Sequence, residues 1–530
     1  VAHGSGNIHL SATGVSTDLM VEANADIETG TGHITLAAAR TIDLGSGVDV
    51  QTSAGGTLDL VAGSGDLTMA EDATLNTVDG DMRITAGDDV LDQVVLGDLF
   101  ATNAHVSIEA AGSVLDTSDS DNEVEAVSLR IVAGKGVGLL AGNSLGAGVN
   151  SLETAVDVLS IQANGSDGVN ILEDDALTIG DTAAITVQTV AADATTSENV
   201  EMTQSDVVTT NANGDNGSIV IRIEAGDLTL TEGTAESDLD SDASVVAHGS
   251  GNIHLAATGD STDLMVEANA DIETGTGHIT LAAARTIALG SLVDTTTSAG
   301  GTLDLVAGSG DFTMAENATL NTVDGDMRIT AGDDVLDQVV LGDLFATNAH
   351  VSIEAAGSVL DTSDSDNEVE AVSLRIVAGK GVGLLAGNSL GAGVNSLETA
   401  VDVLSIQANG SDGVNILEDD ALTIGDTAAI TVQTVAADAT TSENVEMTQS
   451  DVVTTNANGD NGSIVIRTES GHLRLTEGTA ESDLDADASV VAHGSGNIHL
   501  AATGDSTDLM AEANADIETG TGHITLAAAR

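Results

Sequence analysis

A chain of 530 residues with 85 Asp and Glu against 12 Lys and Arg carries a formal charge of -73. That balance excludes a nucleic-acid-binding surface, which needs Lys and Arg for its phosphate contacts, and disfavours docking on anionic membranes. The chain has no Cys, Pro, Trp or Tyr, so disulfides and thiolate metal sites are excluded, and no proline interrupts a stacked strand by deleting a ladder hydrogen bond.

Residues 1–245 recur as 246–490 with thirteen differences, including Val15 against Asp260, Asp43 against Ala288, Gly47 against Leu292 and Asp227 against His472. The opening forty residues appear a third time as 491–530. The predicted organisation is therefore a first copy at 1–245, a second at 246–490 and the start of a third at 491–530, running on without a linker at 245/246 and 490/491. Such an array extends something rather than assembling one unique site.

Within the first copy, nine segments share one pattern: Gly6–Leu10, Gly32–Leu36, Gly56–Leu60, Gly80–Ile84, His105–Ile108, Ser128–Ile131, Val158–Ile161, Ala184–Val187 and Ser218–Ile221. Each carries two apolar residues flanking an outward one, the period-2 signature of a strand with one buried face. Spacings of mostly 22 to 26 residues mark a solenoid, whose units bury their apolar faces only by stacking. Two further apolar pairs follow in each coil, such as Ile42 with Leu44 and Val48 with Val50. The prediction is an all-β chain, a right-handed parallel β-helix (β-solenoid) with three short strands per coil and like strands stacked on like. About nine coils per 245-residue repeat at about 4.8 Å each would advance about 43 Å. The apolar runs fall short of a membrane span. Without an initiator Met, signal peptide or anchor, the chain is expected to be a segment of a longer protein.

Several acidic and polar groups invite a chemical reading. Asp116, Asp119, Asp121 and Glu123, repeated as Asp361, Asp364, Asp366 and Glu368, put oxygen ligands close together on a loop, the donor type calcium prefers. The alternative is a solvated acidic corner. Glu236, Asp238, Asp240 and Asp242 place an acid at every other residue, on one face of any strand formed there, with solvation favoured over cation bridging. Asp59 and Arg83 share the outward register of successive coils, which predicts an exposed, modest ion pair. Thr35 is expected to face outward and tolerate Asp. Histidines such as His3, His9 and His33 have no shared ligand spacing and read as surface decoration. Asn164, Asn216 and Asn317 match the glycosylation acceptor pattern. A carbohydrate-active enzyme would need aromatic platforms and one cleft. The chain has no Trp or Tyr and would build its cleft twice, so no enzymatic activity is expected.

The segments Gly6–Leu10, Gly32–Ala38, Gly56–Ala62 and Gly80–Asp89 resemble the coils of filamentous-haemagglutinin-type β-helical adhesins and related giant repetitive bacterial surface proteins. The resemblance covers essentially the whole chain and carries over no catalytic or ligand residue. It implies a secreted or cell-surface fibrous protein. The expected function is a bacterial extracellular filament that self-associates head to tail or grows by covalent repeats. The alternatives are an adhesin stalk, with cell-surface glycans as partners of a tip outside this segment, and, as a distant third, a polysaccharide-active enzyme.

Overall fold

The structure, a computed structural model, describes residues 1–118, 121–210, 217–363, 366–455 and 462–530. Among them lie 52 strands and no helix. The chain forms two compact units: residues 1–259 with 269–275 and 436–440, and residues 260–268 with 276–435 and 441–530. In each, the ladders are parallel apart from one antiparallel hairpin, so the all-β parallel solenoid expected from the repeat pattern is the fold.

Alternation sets what each strand buries. In the first unit Ile34, Leu58, Met82, Val106, Leu129 and Leu159 stand in register on successive strands, and all are fully buried. Burying each such side chain is worth about 1.5–3 kcal/mol. The corners pack backbone on backbone. A Cβ at Gly32 would lie 2.1 Å from the Gly6 carbonyl oxygen, one at Gly56 2.4 Å from that of Gly32, and one at Gly80 1.8 Å from that of Gly56. Only glycine fits that column.

The first column runs through nine strands, Ile8–Ala12, Ile34–Ala38, Leu58–Ala62, Met82–Ala86, Asp98–Ala110, Val124–Ala133, Leu152–Ala163, Val207–Thr209 and Ala243–Ala247. Nine strands make eight stacking steps, one short of the nine coils expected from the repeat, because the segment Ala184–Val187 does not join the stack. Like does not stack on like throughout, however. The second column begins at Leu19–Val21 and ends on Gly168–Glu173, then Ile219–Ile223, then Ile253–Ala257, and that last strand is the second copy's equivalent of Ile8–Ala12. The long strand Leu152–Ala163 makes the handover by pairing Leu152–Thr154 with Ile171–Glu173, Val158–Leu159 with Thr178–Ile179, and Ile161–Ala163 with Val207–Thr209. Position 245/246 lies inside the strand Ala243–Ala247 and 490/491 inside Ala488–Ala492, so neither position falls in a linker.

The segment Ala184–Val187 has the strand pattern but leaves the stack. Ile185–Val190 pairs antiparallel with Thr196–Glu201, and this hairpin lies across the outward side chains of three earlier coils. The amides of Thr186, Gln188 and Val190 donate to Asp81 Oδ2 (2.7 Å), Thr57 Oγ1 (2.9 Å) and Thr35 Oγ1 (2.8 Å). Thr35 does face away from the lumen, yet it is only 2 % exposed; the expectation that it tolerates Asp is therefore corrected, because a second layer covers it. The Asp59–Arg83 pair forms as expected, with Arg83 Nε 3.0 Å from Asp59 Oδ1, but it is buried under the hairpin, with Asp59 fully buried, Thr189 donating to it and Glu201 beside Arg83. The second unit repeats this with Thr431, Gln433 and Val435 over Asp326, Thr302 and Thr280.

Ile34→Asp should cost several kcal/mol by placing an unpaired charge in the stack. Thr35→Ala should cost about 1–3 kcal/mol by stranding the Val190 amide, whereas the same change at the exposed Thr525 should stay within about 0.5 kcal/mol. Hydrogen exchange of residues 185–190 is the readout, since a long repeat array does not unfold in two states. Equal protection in the Thr35 and Thr525 variants would contradict the covering role of the hairpin.

Candidate cation site and buried carboxylates

Asp116 ends the strand Val114–Asp116, Glu123 immediately precedes Val124–Ala133, and Glu153 sits near the start of Leu152–Ala163. Stacking brings the three together, each offering a carboxylate oxygen within 4.8 Å of the others. Asp116 and Glu123 are buried. Asp116 Oδ1 accepts from the Ser118 amide at 2.9 Å, and Asn150 Nδ2 donates to its Oδ2. The Glu153 amide donates to Glu123 Oε2 at 3.2 Å. Glu153 Oε1 accepts from Ser151 Oγ at 2.7 Å, while its Oε2 is buried and accepts no hydrogen bond. Burial raises the Glu153 pKa above the usual carboxylate range, and the negative charge of Asp116 adds to the shift.

The second unit builds the same triad from Asp361, Glu368 and Glu398. Asp361 accepts from the Ser363 amide at 2.7 Å, and Glu368 Oε2 from the Glu398 amide at 3.0 Å. Two oxygens on opposite sides of a calcium ion at 2.3–2.6 Å stand about 4.8 Å apart, so three converging carboxylates fit a hard divalent cation.

Of the eight residues singled out by spacing, the structure therefore brings Asp116 to Glu123 and Asp361 to Glu368. Asp121 and Asp366 are exposed and line the adjoining acidic clefts, the former with Asp174 and Glu224 and the latter with Asp419 and Glu469. Asp119 and Asp364 lie outside the described residues, as does Asn216. Glu153 and Glu398 were missed. Each is thirty residues beyond its glutamate partner, one long coil later, so only the coil register could have flagged them.

The other singled-out groups have structural partners. The Glu236–Asp242 segment forms no strand: it is a loop whose Leu239 and Asp240 amides donate to buried Asp206 at 3.1 and 3.3 Å. His33 Nδ1 accepts from the Thr57 amide at 3.2 Å, and burial lowers its pKa. Asn164 Oδ1 accepts from Gln162 and Thr210. Asn317 Oδ1 accepts from Ser291 Oγ and the Leu292 amide.

Sequence reading also missed a set of buried acids. Glu173 and Glu418 are fully buried; Glu173 accepts from Thr154 Oγ1 at 2.7 Å and the Val156 amide at 3.0 Å, yet desolvation pushes its pKa up to about 8. Burial likewise pushes Asp206 up to about 7, and Glu232 reaches about 7 through burial and the charge of Asp206.

No protein-family model matches the chain, and no curated protein or solved structure does either.

A carboxyl whose folded pKa exceeds its unfolded value holds its proton more tightly in the folded chain. The stability contributed by Glu173 and Glu418 is therefore complete below about pH 4.5 and is lost as pH rises through about 8. Thermal unfolding followed by circular dichroism should shift downward between pH 5 and 8, less steeply in Glu173→Gln/Glu418→Gln than in the native chain. Equal slopes would mean that these two acids do not titrate in the folded state.

Proposed function

We propose that the chain is a non-enzymatic structural protein, a bacterial extracellular or cell-surface filament lengthened by tandem solenoid repeats. The observation that carries this reading is the placement of each repeat junction inside a strand, so that copying the repeat adds coils rather than domains. The parallel solenoid is compatible with such a role, and a near-perfect duplication suits extension better than a unique active site. A heavily acidic surface limits lateral collapse through like-charge repulsion and calls for counter-ions.

Within this reading the triads Asp116/Glu123/Glu153 and Asp361/Glu368/Glu398 hold calcium. Closely facing carboxylates with a buried unpaired oxygen on Glu153 are costly without a cation, and the ion would fasten the loop after Asp116 to the next coil. Electron microscopy of the native material tests the main proposal: a uniform fibre with an axial repeat of about 40 Å, a little over eight coils at the strand spacing, is expected. Isolated stalks projecting from cells would instead favour the adhesin reading.

Calcium should raise the unfolding temperature of the chain, and chelation should lower it, with sodium at matched ionic strength failing to restore it. Asp116→Asn/Asp361→Asn should abolish that calcium increment. An increment unchanged in the double variant would reduce the effect to general screening.

A further inference from the structure

The loop Glu236–Asp242 closes over a small apolar cluster, and a buried acid holds it there. Its first residues are tied to Thr203: the Glu236 amide donates to Thr203 Oγ1 at 2.8 Å and the Ser237 amide to the Thr203 carbonyl oxygen at 2.9 Å. Beyond them the Leu239 and Asp240 amides both donate to Asp206 Oδ2, at 3.1 and 3.3 Å. Leu239 packs over buried Val208, Ala243 and Val246. Asp206 itself is fully buried and takes a positive φ of 69°, an uncommon backbone for a residue with a side chain.

Asp206 Oδ2 also accepts from Ser205 Oγ at 2.9 Å, whereas Oδ1 is buried and accepts no hydrogen bond. It points at the backbone of Gly233, where a Cβ would lie 2.9 Å from it and 2.1 Å from Ser205 Oγ. The adjoining Glu232 likewise has a buried Oε2 that accepts no hydrogen bond. Burial pushes both acids up to about 7. The charges that bear most on them are negative: each other, Asp238 and Asp242 of the loop, and Asp271 of the strand Asp271–Thr274. The Asp240 carboxylate turns back to the Asp242 amide at 3.4 Å. From the coil behind, Ser160 Oγ donates to the Ser205 and Asp206 carbonyl oxygens and Thr182 Oγ1 to that of Gln204; neither titrates.

The second unit repeats the arrangement. Asp451 Oδ1 and Glu477 Oε2 are buried and accept no hydrogen bond, the Asp485 amide donates to Asp451 Oδ2 at 3.3 Å, and Leu484 packs over Val453, Ala488 and Val491. Burial again pushes Asp451 up to about 7, with the charge of Asp483 adding to it. Among the described residues only the two triads bring three ligand atoms within 4.8 Å of one another, so a proton suits these acids better than a metal ion.

We propose that Glu236–Asp242 and Glu481–Asp487 are pH-operated latches, shut while Asp206 and Glu232, or Asp451 and Glu477, carry protons and released when these acids ionise. An open latch lets water reach the acids, which then titrate at about 4. Their contribution to closure is therefore complete below about pH 4 and is lost as pH rises through about 7. Release bares Val208, Ala243 and Val246.

Hydrogen exchange of the full chain, read peptide by peptide from about pH 5 to 8 and corrected for intrinsic rates, tests this. Protection over 236–246 and 481–491 should fall by about tenfold or more for each acid that ionises, while the core strand Leu58–Ala62 stays protected. Asp206→Asn/Asp451→Asn, which keeps an acceptor for the loop amides but cannot ionise, should remove most of the fall. Glu232→Gln/Glu477→Gln, which leaves those amide contacts in place, should reduce it. A native loop insensitive to pH, the same loss over the whole stack, or an undiminished fall in both variants would overturn the proposal. Calcium that restored closure at about pH 8 in the Asp116→Asn/Asp361→Asn chain would overturn it too, by showing a cation site in place of a proton.

Discussion

Everything in this molecule depends on one constraint: each coil must offer its backbone to the coil below in parallel register. The ladder fixes the inward column of Leu, Ile, Val and Met, as at Ile34, Leu58 and Met82. It also brings corners so close that a side chain at Gly32, Gly56 or Gly80 would collide with the carbonyl oxygen of the glycine one coil earlier. Parallel strands are most stable when both faces are covered. Here the second face is covered by the chain's own hairpin, which explains why polar residues such as Thr35, Thr57 and Asp59 are buried without entering the lumen.

The same register organises the charges. Basic residues are scarce, and several stand across a coil from an acid: Arg40 beside Asp18, Arg83 beside Asp59, Arg130 beside Glu109. The exposed Arg40 pair contributes little in water. The pair under the hairpin is different, because removing either partner strands a buried charge. Acids without a basic neighbour, such as Glu173, are kept by amide and hydroxyl donors and by a tighter hold on their protons.

Strand positions and the coil period were legible in the sequence because a period of two and a period near 24 both arise from burial on one face. The handover between columns was not, since it comes from one long strand turning a corner and pairing with three others, a tertiary event with no local pattern. The hairpin was read as a coil strand for the same reason: Ile185 and Val187 are buried and alternate like any other, but against the outside of the stack. Acid spacing found Asp116 and Glu123, which are near in sequence, and missed Glu153, which is near only through stacking.

The hairpin covers coils made long before it. Thr35 and Val190 are 155 positions apart, so during synthesis the first coils leave the ribosome well ahead of their cover. For that interval Thr35, Thr57, Asp59 and Arg83 face water, and residues able to hydrogen-bond with either water or a late-arriving strand suit both stages. An apolar outer face would be a sticky sheet exposed in every nascent chain. Vectorial folding thus gives a reason for the polar chemistry of an interface that is dry in the finished protein.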